Sequence, residues 1–194
     1  MQLWKRPQKF YAHYNEPPMT QCELETLAQD IKAWGLELGF AQVTIADIDM
    51  SAYGPHLQSW LDNHYHGDME YMQRHAQLRL DPEALVPDTL RAICVRMDYA
   101  LTSTNSLAEL KTPDKAYISR YARGRDYHKL IRKRLQRLAD RVSEAIGPFG
   151  YRAFVDSAPV LERALAEKSG MDWQEHDADQ SQGRLMVLPR RTLH

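Results

Sequence analysis

Leu24, Leu27, Ile31, Trp34 and Leu38 recur at alternating three- and four-residue steps, the spacing that gathers apolar side chains on one face of a helix. Thr20 and Glu23 stand just ahead of them as a capping box, in which each side chain satisfies a backbone donor at the helix start. Gly39 is the expected stop, because glycine takes up the left-handed cap conformation without a side-chain penalty. In "FAQVTIAD", Val43 and Ile45 alternate with polar neighbours, which predicts a strand. A second amphipathic helix is expected to carry Leu57, Trp60 and Leu61, and a proline-punctuated turn in "LDPEALVPDTL" leads into a buried strand around Ala92 to Met97. Residues 102–114 read as a loop. The longest helix is expected from Arg125 to Ile146, with Ile131, Leu135, Leu138 and Val142 inward. "GPFG" breaks it. "YRAFVDS" then reads as a strand ending in an acid, and Pro159 to Ser169 as a further helix with its proline near the first turn. This alternation predicts an α+β, sandwich-like architecture around a small sheet.

Composition narrows the classes. A chain of 194 residues suffices for one domain with a real core and hardly for two. A net charge of −1 exerts no global pull toward nucleic acid or membrane, although local patches remain open. No apolar run approaches the roughly 20 residues of a membrane span. Residues 1–19 are basic and aromatic without an apolar signal core and read as a flexible leader. The cytoplasm is therefore the expected compartment. Cys22 and Cys94 lie far apart and support neither a disulfide framework nor a metal cluster.

Three constellations carry candidate chemistry. His56, His64, His66 and His75 lie near Asp68 and Glu70, but their spacing fits no established zinc or iron pattern, so no metal site is assigned. Arg120, Arg123, Arg125, Lys129, Arg132, Lys133, Arg134 and Arg137 form a basic strip opposed only by Asp126, with Tyr121 and Tyr127 interleaved. Such a strip suits a phosphate backbone and stacked bases, and it equally suits a solvated helix face. Asp156 follows the apolar "AFV" and precedes "SAP", a strand end of the kind where sites in α/β proteins concentrate. The plainer account is that Asp156 or Ser157 caps the next helix, and spacing alone favours the cap.

"WLDNHYHGDMEYMQRH", "LVPDTLRAICVRMDY", "YISRYARGRDYHKLIRKRL" and "FVDSAPVLERALAEKSG" resemble, in this order, the N-terminal domain of the epoxyqueuosine reductase family. The resemblance spans roughly Leu24 to Gly170. It implies a cytoplasmic oxidoreductase that reduces epoxyqueuosine to queuosine in the anticodon loop of certain transfer RNAs, the last step of queuosine biosynthesis. It also implies cobalamin in a corrinoid-binding domain similar to that of reductive dehalogenases. Electrons would come from two 4Fe-4S clusters in a following ferredoxin-like domain, and many members end in helical repeats. The family's catalytic acid falls on Asp156 in "FVDSAP", as proton donor to the departing epoxide oxygen at the cofactor. Corrin contacts fall on Arg79, ahead of the P-x-x-L-x-P turn, and on Ser119, ahead of "RYA". Arg163, seven residues after Asp156, is expected to support the acid. The basic strip from Arg120 to Arg137 gains transfer RNA as its expected partner.

The pattern stops after Gly170. The family continues with a segment close to "GWIGKNTMLI" and "AGSWFFLGEL", whereas this chain has "MDWQEHDADQSQGRLMVLPRRTLH". The codons ATG GAT TGG CAA GAA CAC for Met171 to His176, read one base later, give Trp-Ile-Gly-Lys-Asn. Suitable codons extend the agreement to His194. Residues 171–194 are therefore read as an out-of-frame tail, expected to be disordered, after a domain of residues 20–170 left incomplete at its C-terminal end. A free sheet edge prone to association is expected there. No cysteine run of the C-x2-C-x2-C-x3-C-P type is present to hold an iron–sulfur cluster. On this reading the chain is inactive or impaired; the alternative is a non-catalytic fragment that binds cobalamin or transfer RNA.

Overall fold

The computed structural model describes residues 19–98, 110–118, 122 and 124–171, together with the backbone of residues 181–189. The expected leader and most of the expected loop at 102–114 lie outside the described residues.

Helix α1 (Gln21–Glu37) begins with the expected reciprocal cap: the Thr20 hydroxyl accepts from the Glu23 N–H, and the Glu23 carboxylate accepts from the Thr20 N–H at 2.7 Å. It ends at Gly39, whose φ of 86° is left-handed. Ile31 is buried and Leu27, Trp34 and Leu38 pack beside it, while Leu24 stays exposed, so the apolar face starts one turn later than expected. Gly35, which the periodicity did not mark, is buried against strand β1 (Gln42–Asp47). A Cβ there would lie 2.4 Å from Cγ2 of Val43.

Strand β1 pairs antiparallel with β2 (Thr89–Asp98). The chain between them forms a short 3-10 turn (Ser51–Tyr53), α2 (Gly54–Asp62), α3 (Glu70–Arg74), α4 (Ala76–Leu80) and α5 (Pro82–Leu85). Ile93, Val95 and Met97 of β2 enter one core with α1 and the long helix α6 (Tyr127–Ile146); Ala92 and Cys94 enter another. Both faces of β2 are covered, which explains why "AICV" is apolar without alternation. In α6, Ile131, Leu135, Leu138 and Val142 are fully buried, as their spacing predicts. The opposite core is closed by Met50, Phe154 of β3 (Arg152–Phe154), Val160, Met171, and Leu165 and Ala166 of α7 (Glu162–Lys168). Helices thus cover both faces of an antiparallel sheet, a mixed helix-and-sheet fold. Among the described residues no helix is long and apolar enough to cross a membrane.

Three expectations are corrected. Ser181–Pro189, expected to be disordered, forms β4, which pairs antiparallel with both β2 and β3, so the sheet order is β1-β2-β4-β3. The ladder edge of β2, expected to stand free, is closed. An unpaired row of buried amides and carbonyls is a template for any extended segment, and "RLMVL" has strand-forming residues to fill it. The last helix starts at Glu162 rather than Pro159, because Val160 N–H bonds back to Ala158 C=O at 2.8 Å and the chain turns there to bury Val160.

Candidate active site

Asp156 sits where β3 ends and the chain must turn at once. Phe154 and Val155 are buried in the cores on opposite faces of the sheet, and the next residue reverses direction with φ of 53°. Aspartate is among the few side chains that tolerate this left-handed region. The cap assigned to it by spacing is not what it does. The N-cap position of α7 is Leu161, which makes no side-chain cap bond. The carboxylate of Asp156 instead turns to the start of α6.

That start is built by Asp126. As the N-cap of α6 its side chain accepts from the His128 N–H at 3.0 Å, and the same Oδ1 lies 3.0 Å from Nδ1 of the His128 ring. Desolvation pushes the Asp126 carboxyl up, but the hydrogen bonds from the ring and backbone of His128 more than offset it and hold the group below its usual 3.8. Tyr127 stacks on His128 with ring centroids 4.0 Å apart. The Tyr127 hydroxyl donates to Oδ2 of Asp156 at 2.7 Å, and Nε2 of His128 lies 3.5 Å from the same oxygen. The side chain of Asp156 is 41% exposed and that of His128 37%, so the carboxyl is tied to α6 and still reaches solvent. A carboxyl so placed suits proton transfer at an exposed strand end.

Arg79, in the last turn of α4, is half-buried. Burial pushes its guanidinium pKa down, with Tyr71 opposing. Its Nε is buried without a hydrogen-bond partner among the described residues. A buried donor without an acceptor is costly, and a ligand acceptor would satisfy it. The described contacts join Asp156 to α6 and do not join Arg79 to that cluster. Ser119 lies outside the described residues, as do Arg120, Tyr121 and Arg123. Arg163 is exposed on the first turn of α7.

Of the basic strip, Arg125, Lys129, Arg132, Lys133 and Arg137 are exposed; the four within α6 lie opposite its buried face. Arg134 is withdrawn from it: its guanidinium donates to the Gly39 carbonyl at 2.8 Å and meets Met97 Sδ. Of the histidines, His56, His64 and His75 are exposed, and His66 is buried beside the Trp60 ring. Among the described residues no three potential metal ligands come together. A hollow of about 350 Å³ lined by Trp34, Arg141, Glu144 and Ala145 lies roughly 20 Å along α6 from Tyr127, at 1.5 Å per residue. It is remote from the Asp156 cluster. Sequence reasoning did not find the pairing of Tyr127 and His128 with Asp156. The available signal was "RDYH", where an acid able to cap fixes two proton-carrying aromatics in the first turn.

The family profile described as epoxyqueuosine reductase QueG, DUF1730, matches residues 79–157, a stretch that opens on Arg79 and closes one residue past Asp156. An epoxyqueuosine reductase of Pseudomonas aeruginosa is 59% identical over 147 residues, covering 76% of this chain and 41% of the relative. That of Escherichia coli is 53% identical over 151 residues, covering 78% and 40%. The chain therefore spans about two fifths of the length of these curated relatives. The fold is similar to that of a Bacillus subtilis epoxyqueuosine reductase whose catalytic aspartate loop is swung out of the active site, with a TM-score of 0.71 at 16% identity over 86% of this chain and 46% of that one. It is also similar to an epoxyqueuosine reductase solved with an epoxyqueuosine-modified tRNA-Tyr stem loop, with a TM-score of 0.67 at 15% identity over 85% and 46%. Identity above one half with these relatives, together with the profile match across Arg79 to Ser157, places this chain, as a partial member, in the epoxyqueuosine reductase family.

Proposed function

We propose that this chain is the part of an epoxyqueuosine reductase that faces cofactor and substrate, acting in the cytoplasm on transfer RNA. The reaction removes one oxygen from epoxyqueuosine to leave queuosine. Loss of an epoxide oxygen as water, leaving an alkene, consumes two electrons and two protons. The observation that carries the reading is Asp156, a solvent-reaching carboxyl at the end of β3, tethered to α6 by the Tyr127 hydroxyl. It serves as the acid that protonates the departing oxygen.

Cobalamin fits Arg79, whose buried, unpaired Nε is a donor suited to the amide and phosphate acceptors on the rim of a corrin. Ser119 and Asp156 are assigned to the same cofactor on family resemblance, in a layer similar to that of corrinoid-binding reductive dehalogenases. When bound, the cofactor would supply low-potential electrons. The family's 4Fe-4S clusters have no ligand set in a chain whose only cysteines are Cys22 and Cys94. The role of this chain's own residues is to hold the corrin and to move protons at Oδ2 of Asp156. The exposed cations from Arg125 to Arg137 form a rail for transfer-RNA phosphates, each contact adding to the salt dependence of binding. Arg163 supports the acid from α7. Residues 171–194 are assigned to an altered reading frame, so that β4 fills a place that a different sequence occupies in relatives; resequencing the gene across the codons for Ser169 to Trp173 decides this.

The test is to load the chain with cobalamin, follow corrin absorbance, and supply titanium(III) citrate and an epoxyqueuosine-bearing stem loop. Loss of one oxygen by mass spectrometry is the expected result. Asp156→Asn should keep the corrin and reduce turnover by about 100-fold or more. Undiminished turnover in Asp156→Asn would remove the acid role. Corrin binding without turnover in the unaltered chain would reduce the chain to a binding module.

A further inference from the structure

The outward face of α6 repels itself. Lys129, Lys133 and Arg137 follow one another at four-residue steps, which sets them in a row with a rise of about 6 Å between members. All three are exposed, as is Arg132 beside them. Like charges four residues apart on a helix repel, so Lys133 is opposed from both sides. Its neighbours three residues away, Leu130 and Gln136, carry no charge. Arg132 likewise has no acid three or four residues away in either direction. Lys129 stands in the first turn, where the helix dipole disfavours a cation, and its Nζ lies 4.0 Å from Asp126. Beyond Arg137 the stripe changes sign to Asp140 and Glu144, and Asp140 accepts from Gln136 at 2.7 Å. The other two arginines of this helix are engaged within the fold, Arg134 on the Gly39 carbonyl and Arg141 on the Glu37 carboxylate. A face that served only to meet water would gain from acids among its lysines, since glutamate is as good a helix former.

We propose that Lys129, Lys133 and Arg137, with Arg132 alongside, form a track for successive phosphates of one RNA strand, and that the bound strand relieves the repulsion within α6; this rests on the reading of transfer RNA as the partner. The steps of the row are on the scale of the separation between neighbouring phosphates along a strand. From Lys129 to Arg137 the row rises about 12 Å, room for a short stretch of backbone. The change of sign at Asp140 closes its far end, because a carboxylate turns a phosphate away. Its near end lies in the same helical turn as Tyr127, which holds Asp156. A strand on the track is therefore brought to the end of α6 that carries the acid, and away from the hollow at Trp34. Binding and folding are linked in this arrangement: RNA that binds only the folded helix stabilises it, while the helix without RNA is less stable than its length and burial allow.

Lys133→Gln in the full chain tests both halves of this, since the position is exposed and the two residues have nearly equal helix propensity. Without RNA, removal of two repulsive pairs should raise the thermal midpoint by about 1–3 °C. With a synthetic transfer-RNA anticodon stem loop, affinity should fall about fivefold at 0.1 M salt, a loss that closes toward 1 M. The slope of log affinity against log salt should shrink by about 0.7. Lys133→Arg keeps the charge and should retain the midpoint and slope of the unaltered chain. A midpoint that does not rise in Lys133→Gln would overturn the proposal, because the row would not be under repulsion. An unchanged salt slope, or a stem loop that the unaltered chain does not bind, would overturn it as well. The two readings fail separately. A slope that shrinks as expected, in a cobalamin-loaded chain that reduces no epoxide, keeps the track and removes the activity. Turnover on a stem loop whose salt slope ignores Lys133→Gln removes only the track.

Discussion

Tyr127 and Asp156, 29 residues apart in the chain, are joined by one hydrogen bond of 2.7 Å that ties the first turn of α6 to the tip of β3. Asp156 occupies a left-handed conformation, which costs about 1 kcal/mol for a residue with a side chain, and this bond helps to hold it. Tyr127→Phe keeps the ring and its stacking on His128 but removes the donor. Because the site is open, the stability lost in urea unfolding should be no more than about 1 kcal/mol. Nitrogen relaxation at residues 155–157 should nevertheless report new motion. An unchanged relaxation profile would mean that the turn is held by something else.

The contact of Gly35 with Val43 makes a sharper prediction for stability. A Cβ at position 35 meets Cγ2 of Val43 at 2.4 Å, so α1 must shift away from β1. Gly35→Ala improves helix propensity, yet the overpacking should outweigh it and destabilise the chain by about 1–3 kcal/mol. Chemical denaturation checks the sign.

Acid sensitivity should have a local source at the end of β1. The Lys168 ammonium pairs with the Asp47 carboxylate and reaches the Asp49 carbonyl. The bond from Lys168 is the chief reason that the Asp47 carboxyl titrates below its usual 3.8; desolvation opposes it, and the Asp49 N–H adds to it. A carboxyl whose folded pKa is depressed contributes stability above its unfolded value and loses it as pH falls through the folded one. The contribution is present above about pH 4 and fades below that. Asp47→Asn should therefore lower the unfolding midpoint at pH 7 and make almost no difference at pH 2. An equal effect at both values would deny the ion pair its role.

Leu185 tests the placement of β4. It pairs with Cys94 of β2 and Phe154 of β3. Leu185→Pro removes a ladder donor in the middle of the sheet, where proline is not accommodated. At least about 1 kcal/mol should be lost from that donor alone, with hydrogen exchange accelerating in β3. A chain indifferent to the change would have its sheet built without residues 181–189.

Much of the fold was legible because its elements are local. The capping box at Thr20 and Glu23 and the inward face Ile131, Leu135, Leu138 and Val142 depend only on spacing, and both form as expected. Asp156 was legible as a residue of interest but not in its surroundings. "DSAP" before an apolar run has the composition of a helix start, and only the burial of Val160 displaces that start to Glu162. Its partners Tyr127 and His128 come from another element, and no periodicity encodes that meeting. β4 was illegible for the same reason: the short apolar run of "RLMVL", in an otherwise polar segment, becomes a strand where β2 and β3 present backbone on either side of it.

Strand β3 is an edge strand of the described sheet, opposite β1, and its ladder partner is β4. The arm that carries Asp156 is thus anchored by residues synthesised later than itself. As the chain leaves the ribosome, α1, β1, β2 and α6 are complete while β3 still lacks its neighbour, so the pairing that fixes β3 must wait until residues 181–189 have emerged. A change that breaks the pairing of Leu185, Met186 or Val187 with β3 would consequently loosen the strand that leads into Asp156, with no contact needed between the altered residue and that carboxyl.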